Sequence, residues 1–372
     1  MKIGIDAKWF YSGPISGQVI IRNLLPDLIR QHPEHDWHIF LNKKDRHSDF
    51  PLSGQNIHLY YAWSILNMFS NFFTLPMQAN KLKLDAVLFQ TFAPRSRTFK
   101  SLVFVHDILF EQFPEFFTWK EKLYFTFVKK SCSSADKIIT TTETVKKDLI
   151  KYKYAGGDKI DIAPLGVSKS FKPLSECNPA FLARVKNKYQ LPDNYLLFTG
   201  RLNIRKNIEA ILKILPLIEE KIYLVIAGEK SWKQSNLSQF LKNKKNHSRV
   251  LFIGKVTDDD LAAIYSMANI FCFPSFAEGF GLPPLEAMAS GIPAVVSNAT
   301  AIPEVCGEAA VYIDPNNPED IAEKINRLLT NNLFYEKKVK EGLVRSEQFT
   351  WKRTAESIMK SILTTLETRK TN

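Results

Sequence analysis

The sequence predicts an α/β protein built from two doubly wound domains. Short β-rich runs alternate with helical patterns along the whole chain. That alternation needs crossover connections, and so implies parallel sheets with helices on both faces. The length of 372 residues also exceeds the roughly 250–300 at which a single core stops growing. A composition of 45% hydrophobic and 24% charged residues excludes a disordered or fibrous chain.

In the first half the strands read as KIGID (2–6), WHIFL (37–41), AVLFQ (86–90), SLVFV (101–105) and KIITT (137–141). The second half repeats the scheme with YLLFTG (195–200), IYLVIAG (222–228), RVLFIG (249–254), NIFCFPS (269–275) and PAVVS (293–297). Helical segments such as NIEAILKILPLIEE (207–220) and DLAAIYSMA (260–268) lie between them. The Pro-, Ser- and Gly-bearing stretch 161–180 is the best interdomain connection. Domains are therefore expected over 1–172 and 173–350, with 351–372 a closing amphipathic helix able to pack back on the first domain. No fixed-period repeat or low-complexity tract interrupts the scheme.

Charge and cysteine usage narrow the setting. The net charge is +12, compatible with nucleic acid, anionic lipid or a phosphorylated substrate. Four scattered cysteines, with no CxxC and no nearby His at metal spacing, argue for a reducing compartment and against a zinc site or a disulfide framework. Asp6 and Lys8 interrupt the first apolar stretch, so it reads as a strand rather than a secretory signal. No run approaches the ~18 apolar residues of a membrane span. The chain is expected in the cytoplasm, with any membrane contact peripheral.

In open α/β sheets ligands bind beyond the carboxyl ends of the strands, which for two facing domains means the cleft between them. After YLLFTG comes GRLNIRKN, where Arg201 and Lys206 form a candidate diphosphate clamp and Asn207 can cap the following helix. A plain pair of surface cations is the competing reading. After NIFCFPS comes FAEGFGLPPLEAMASG (276–291). Gly279 and Gly281 permit positive φ and close backbone approach to a ligand, and Pro283 and Pro284 suit the first positions of a helix. Backbone from Gly279 through Phe280, Gly281 and Leu282 would meet an anion. Glu286, expected in the first helical turn, would grip a vicinal diol such as a ribose, with Glu278 on the preceding loop.

The E-x7-E pair Glu278/Glu286 together with GRLNIRKN resembles the family-four retaining glycosyltransferases of GT-B fold, which use nucleotide-diphosphate sugars. FVHDILFEQFPEF, KIDIAPLGVSKSFKP, RVLFIGKVTDDDLAAIYSMANIFCFPS and IPEVCGEAAVYIDP extend the resemblance over nearly the whole chain. It implies that Arg201 and Lys206 bind the donor diphosphate and stabilise the departing nucleotide. It also implies that Glu286 holds the ribose, Glu278 contacts the transferred sugar, and His106 approaches that sugar's reacting side or O6. The nucleobase would rest near Gly254, Lys255 and Val256. The family's GGIGRY-like first loop is replaced by SGPISGQVIIRNLL (12–25). Gly17 is kept for close backbone approach, but Gln18 and Val19 depart from the usual pair, which bears on the acceptor.

The implied activity is hexosyl transfer to a glycan or lipid-linked acceptor in polysaccharide or envelope assembly. GDP-mannose is the first donor guess and UDP-hexoses the second. A non-catalytic sugar-nucleotide-binding scaffold and a glycosidase using the two glutamates are the alternatives. No cofactor and no metal are expected, because Arg and Lys compensate phosphate charge in this family. Asp258–Asp260 reads as an acidic first turn capped by Thr257 rather than a metal motif. The first strand lacks the GxGxxG of a nicotinamide enzyme.

One further feature concerns partners. Residues 114–131 interleave Phe116, Phe117, Trp119, Tyr124, Phe125 and Phe127 with Lys120, Lys122, Lys129 and Lys130, and 63–81 has a similar character. Such helices either close a core with a lysine edge or dock on anionic lipid. Nucleic acid is not expected, since the cations form no single dense patch.

Overall fold

The computed structural model describes residues 1–62, 67–219, 221–228 and 248–368. Positions 63–66 of the first aromatic stretch, position 220 of the 207–220 helical reading and the terminal 369–372 lie outside the described residues. The chain divides into two compact units, Met1–Gly166 with Thr350–Asn372, and Val167–Phe349.

The first unit holds a seven-stranded sheet: β1 (Lys2–Asp6), β2 (Asp36–Asn42), β3 (Ile57–Ala62), β4 (Ala86–Gln90), β5 (Lys100–Phe104), β6 (Lys137–Thr140) and β7 (Ile160–Ile162). Its order is β3-β2-β1-β4-β5-β6-β7, and every pairing is parallel. Central strands such as β4 are buried from end to end, as expected of parallel strands covered on both faces. The direction of strand order switches between β1 and β4, which opens a crevice at their carboxyl ends.

The second unit holds β8 (Tyr195–Thr199), β9 (Tyr223–Ala227), β10 (Val250–Gly254), β11 (Ile270–Phe273), β12 (Ala294–Ser297) and β13 (Val311–Ile313). These are ordered β10-β9-β8-β11-β12-β13, again all parallel. The switch here falls between β8 and β11. Both informative sequence segments, GRLNIRKN and FAEGFG, follow these two neighbouring strands.

The ten strands read from the sequence are present, and three of the four edge strands, β3, β7 and β13, are additional to them. The units part at Gly166/Val167 and Phe349/Thr350, a few residues ahead of the positions read from the sequence. Phe171 stacks edge-on against Tyr265 at 5.4 Å and Pro173 lies under Gly291, which ties this stretch to the second unit. The closing helix Trp351–Glu367 packs along the helix Ile15–Gln31 of the first unit. Thr354 Oγ1 donates to the Pro164 carbonyl at 2.6 Å. A Cβ on Gly166 would stand 2.1 Å from the Trp351 nitrogen, so the chain turns out of the first sheet directly beneath that helix.

Candidate functional site

In the second unit the site is assembled at the carboxyl ends of β8 and β11. Asn203 accepts from the Lys206 N–H at 3.1 Å and so closes a short 3-10 turn, Ile204–Lys206, that projects two cations. Lys206, 9% exposed, places Nζ 2.8 Å from Glu278 Oε1 and 4.5 Å from the centre of the Phe273 ring. Arg205 Nη1 stands 3.0 Å from the same oxygen and also donates to the Ala277 carbonyl. Ser275 donates its hydroxyl to Glu278 as well. Burial by itself would raise the Glu278 pKa, but Arg205, Lys206 and these hydrogen bonds outweigh it and bring it down to about 2.

The Glu278 backbone is fixed with equal care. Its N–H donates to Thr300 Oγ1 at 2.8 Å, and that hydroxyl donates back to the Glu278 carbonyl at 3.0 Å. Gly281 takes φ +112° and opens the helix Leu282–Ala289 with no side-chain cap. Pro283 and Pro284 carry no N–H, so the backbone donors at this start are those of Gly281 and Leu282; with the positive end of the helix they make this a place for an anion.

Glu286 is the fifth residue of that helix. It lies in the second turn, not the first as the sequence reading had it. The prolines are helical as expected, but Leu282 is helical too, which starts the helix one residue earlier and puts Glu286 just past the first turn. There it is hydrogen-bonded by the Tyr265 hydroxyl, itself 2.6 Å from Thr199 Oγ1 at the end of β8. Burial raises the Glu286 pKa to about 7; the Tyr265 hydrogen bond opposes the shift and Asp258 adds to it.

Asn207 also departs from expectation. It occupies the N-cap position of the helix Ile208–Ile214 with φ +51°, but makes no side-chain cap. Its amide donates instead to the Pro315 carbonyl at 2.7 Å. Arg201 is exposed and stands outside the Lys206–Arg205–Glu278 cluster. Gly254 has φ +70° with open space where a Cβ would lie, followed by exposed Lys255 and half-buried Val256. Thr257 caps the helix Asp258–Ser266. Asp260 is taken up by Lys188 at 2.5 Å, Tyr189 at 2.9 Å and Arg184 at 3.3 Å.

In the first unit His106 follows β5. Its Nε2 lies 3.3 Å from Gln90 Oε1, at the end of neighbouring β4, and Nδ1 has no hydrogen-bond partner among the described residues. Burial lowers its pKa to about 4, so the imidazole is neutral at physiological pH. Beside it, at the β1 end, Lys8 and Asp6 form a fully buried pair at 2.5 Å. Asn71 links Asp6, at 2.8 Å, to the Gln90 carbonyl, at 3.1 Å. Gly17 lies within Ile15–Gln31, where a Cβ would stand 2.3 Å from the Trp9 ring. Packing on the indole therefore demands glycine at this position.

The structure thus gathers Lys206, Glu278, Gly279, Phe280, Gly281, Leu282 and Glu286 at one sheet edge. Arg205, Ser275, Tyr265 and Thr199 join them without having been singled out from the sequence. The signal for Arg205 was present, one residue before Lys206. Tyr265 carried none, since a tyrosine inside an apolar helix reads as core.

Two doubly wound parallel units, each with its polar residues at the carboxyl edge of the sheet, make the GT-B fold. The profile described as "Glycosyl transferases group 1" matches residues 182–343, and "Glycosyltransferase Family 4" matches residues 17–171. The chain belongs to the group 1 glycosyltransferases. O-antigen chain mannosyltransferase B of Escherichia coli is 33% identical over 252 residues, which take in 66% of this chain and 65% of that protein. Serotype-specific mannosyltransferase WbdA of Escherichia coli is 31% identical over 228 residues, 59% of this chain and 28% of the relative. The chain thus spans less than two thirds of the length of either. The crystal structure of Anabaena Alr3699/HepE in complex with UDP-glucose superposes with a TM-score of 0.73 at 15% identity, covering 98% of this chain and 100% of that one.

Proposed function

We propose that the protein is a retaining glycosyltransferase that moves a hexose from a nucleotide-diphosphate sugar to a glycan or lipid-linked acceptor in envelope polysaccharide assembly. The observation that carries this is the buried Lys206–Arg205–Glu278 cluster beside the uncapped helix start at Gly281. Preorganised cations next to the Gly281 and Leu282 amides at a helix start suit a diphosphate, both bound and departing. Mannosyltransferase relatives favour GDP-mannose as donor. The UDP-glucose complex of a protein with the same fold supports UDP-hexoses as the second reading.

In the proposed reaction the anomeric carbon–phosphate oxygen bond breaks while the acceptor oxygen bonds on the same face. The acceptor proton passes to the leaving phosphate oxygen. Lys206, with Arg201 reaching from its exposed position, offsets the charge that develops there, so neither metal nor cofactor is required. Glu286 accepts the ribose hydroxyls, Glu278 orders Lys206 and contacts the sugar, and the neutral His106 offers Nδ1 to a sugar hydroxyl.

A peripheral site on the cytoplasmic face of a membrane completes the reading. In the first unit the helical run from Asn67 to Lys81 exposes Phe69, Phe73 and Met77, and the helix Trp119–Ser134 exposes Trp119 and Leu123. Phe92 touches Phe72 of the former and Tyr124 of the latter, so the two helical segments are neighbours in the first unit. Among the described residues no helix is long and apolar enough to cross a membrane.

The test is release of nucleoside diphosphate from GDP-mannose and UDP-glucose in chelator-containing buffer, with the product's anomeric configuration read by NMR. Lys206→Ala should lower turnover by at least about a hundredfold, the scale for losing one preorganised charge at a developing oxyanion. Folded wild-type protein that binds a donor without turning it over would favour a binding scaffold.

A further inference from the structure

At the amino end of β2, the turn His32-Pro33-Glu34-His35 joins it to the helix Ile15–Gln31. This is the edge of the sheet opposite to His106, which follows the carboxyl end of β5. Side chains from outside the turn hold its backbone. Trp37 Nε1 donates to the His32 carbonyl at 3.1 Å, and Asn56 Nδ2 donates to the carbonyls of Pro33 and His35, each at 3.0 Å.

Within this fixed turn Glu34 Oε1 lies 3.6 Å from His32 Nδ1 and 3.4 Å from His35 Nε2. One ligand atom from each of the three residues falls within 4.8 Å of the other two. His35 is only 8% exposed, yet neither of its ring nitrogens has a hydrogen-bond partner among the described residues. A buried polar ring left so is costly and calls for an explanation.

A tetrahedral ion with ligands at about 2.0–2.1 Å sets neighbouring ligand atoms roughly 3.4 Å apart, which matches both glutamate–histidine separations. We propose that His32, Glu34 and His35 bind one divalent transition ion of the zinc class, with the fourth position open to water beside exposed Glu34. Two imidazoles and a carboxylate suit zinc better than magnesium or calcium. This departs from the sequence reading, which expected no zinc site because the cysteines lack CxxC and a nearby His; the turn holds no cysteine, and its ligand atoms come from His32, Glu34 and His35. The ion would tie the end of one helix to the start of β2, away from the residues assigned to sugar transfer.

The test titrates ZnCl2 into chelator-stripped, dialysed full-length protein by calorimetry, with Co2+ absorption spectra to report coordination number. Glu34→Gln is the decisive variant, since an exposed side chain can change without loss of the fold; its melting temperature without metal should equal that of the wild type. The expected result is one zinc per chain, a four-coordinate Co2+ spectrum, and a zinc-induced rise in melting temperature. All three should be lost or weakened by more than about a hundredfold in Glu34→Gln, since even outer-sphere changes cost about 10–100-fold. No binding, or equal binding by wild type and variant, overturns the proposal.

Discussion

Glu286 and Glu278 are two carboxyl groups of one site, driven in opposite directions by their surroundings. Two cations hold Glu278 down at about 2, while burial beside Asp258 lifts Glu286 to about 7. For Glu278 the folded value lies below the unfolded one, so its contribution to stability is present above about pH 4.5 and lost as pH falls toward 2. For Glu286 the sign reverses. Its protonated form is favoured by folding, and that contribution is lost as pH rises through 7. A ribose diol needs the carboxylate, which accepts both hydroxyls. Affinity for a nucleotide sugar, whose phosphates do not titrate in this range, should therefore rise between pH 6 and 8 and level off above. Calorimetric titrations across that range should show this in the wild type and a flat, weaker profile in Glu286→Gln. A pH-dependent profile in the variant would assign the titration to another group.

The strands and helices differ in how much of themselves they disclose in sequence. Central strands such as β4 and β8 are continuous apolar runs because both faces are covered. The edge strands β3 and β7 are not: β3 carries His58 and Tyr60 half-exposed, and β7 has three residues. The ends of β8 and β11 were readable because glycine, proline and charge are concentrated there. Tyr265 and Thr199 were not, since their hydrogen bonds join elements distant in sequence. Glu286 was placed in the first turn instead of just past it because nothing in the sequence marks Leu282, ahead of the proline pair, as the first helical residue. The helix Trp119–Ser134 is a mixed case. Tyr124 packs on Phe92 at 4.9 Å, whereas Trp119 is 70% exposed and Lys120, Lys122, Lys129 and Lys130 line the surface. Each basic group near an anionic leaflet contributes roughly 1 kcal/mol, screened within a Debye length. The wild type should co-sediment with anionic vesicles and not neutral ones, and changing these four lysines to Gln should abolish most of that recovery. Equal soluble recovery of both proteins would make the helix a core element with a lysine edge.

The molecule as a whole is two parallel sheets of the same design whose clustered polar residues are of different kinds. The first unit brings a neutral imidazole and a buried Lys8–Asp6 pair to its switch point; the second brings cations, a helix start and the two glutamates. The second set is the one suited to a nucleotide diphosphate, and donor binding is the claim on which the functional reading depends. A ligand that binds only the folded state at about a hundred times its dissociation constant adds about 2.7 kcal/mol. For units of this size that corresponds to a melting-temperature rise of roughly 5–10 °C. The most direct measurement is a thermal-shift screen of the full chain against GDP-mannose, UDP-glucose and a dTDP-hexose, with Glu286→Ala in parallel. GDP-mannose should give a rise of that order, much reduced in the variant. A rise only with UDP compounds would contradict the mannose reading, and no rise with any sugar nucleotide would contradict the donor site itself.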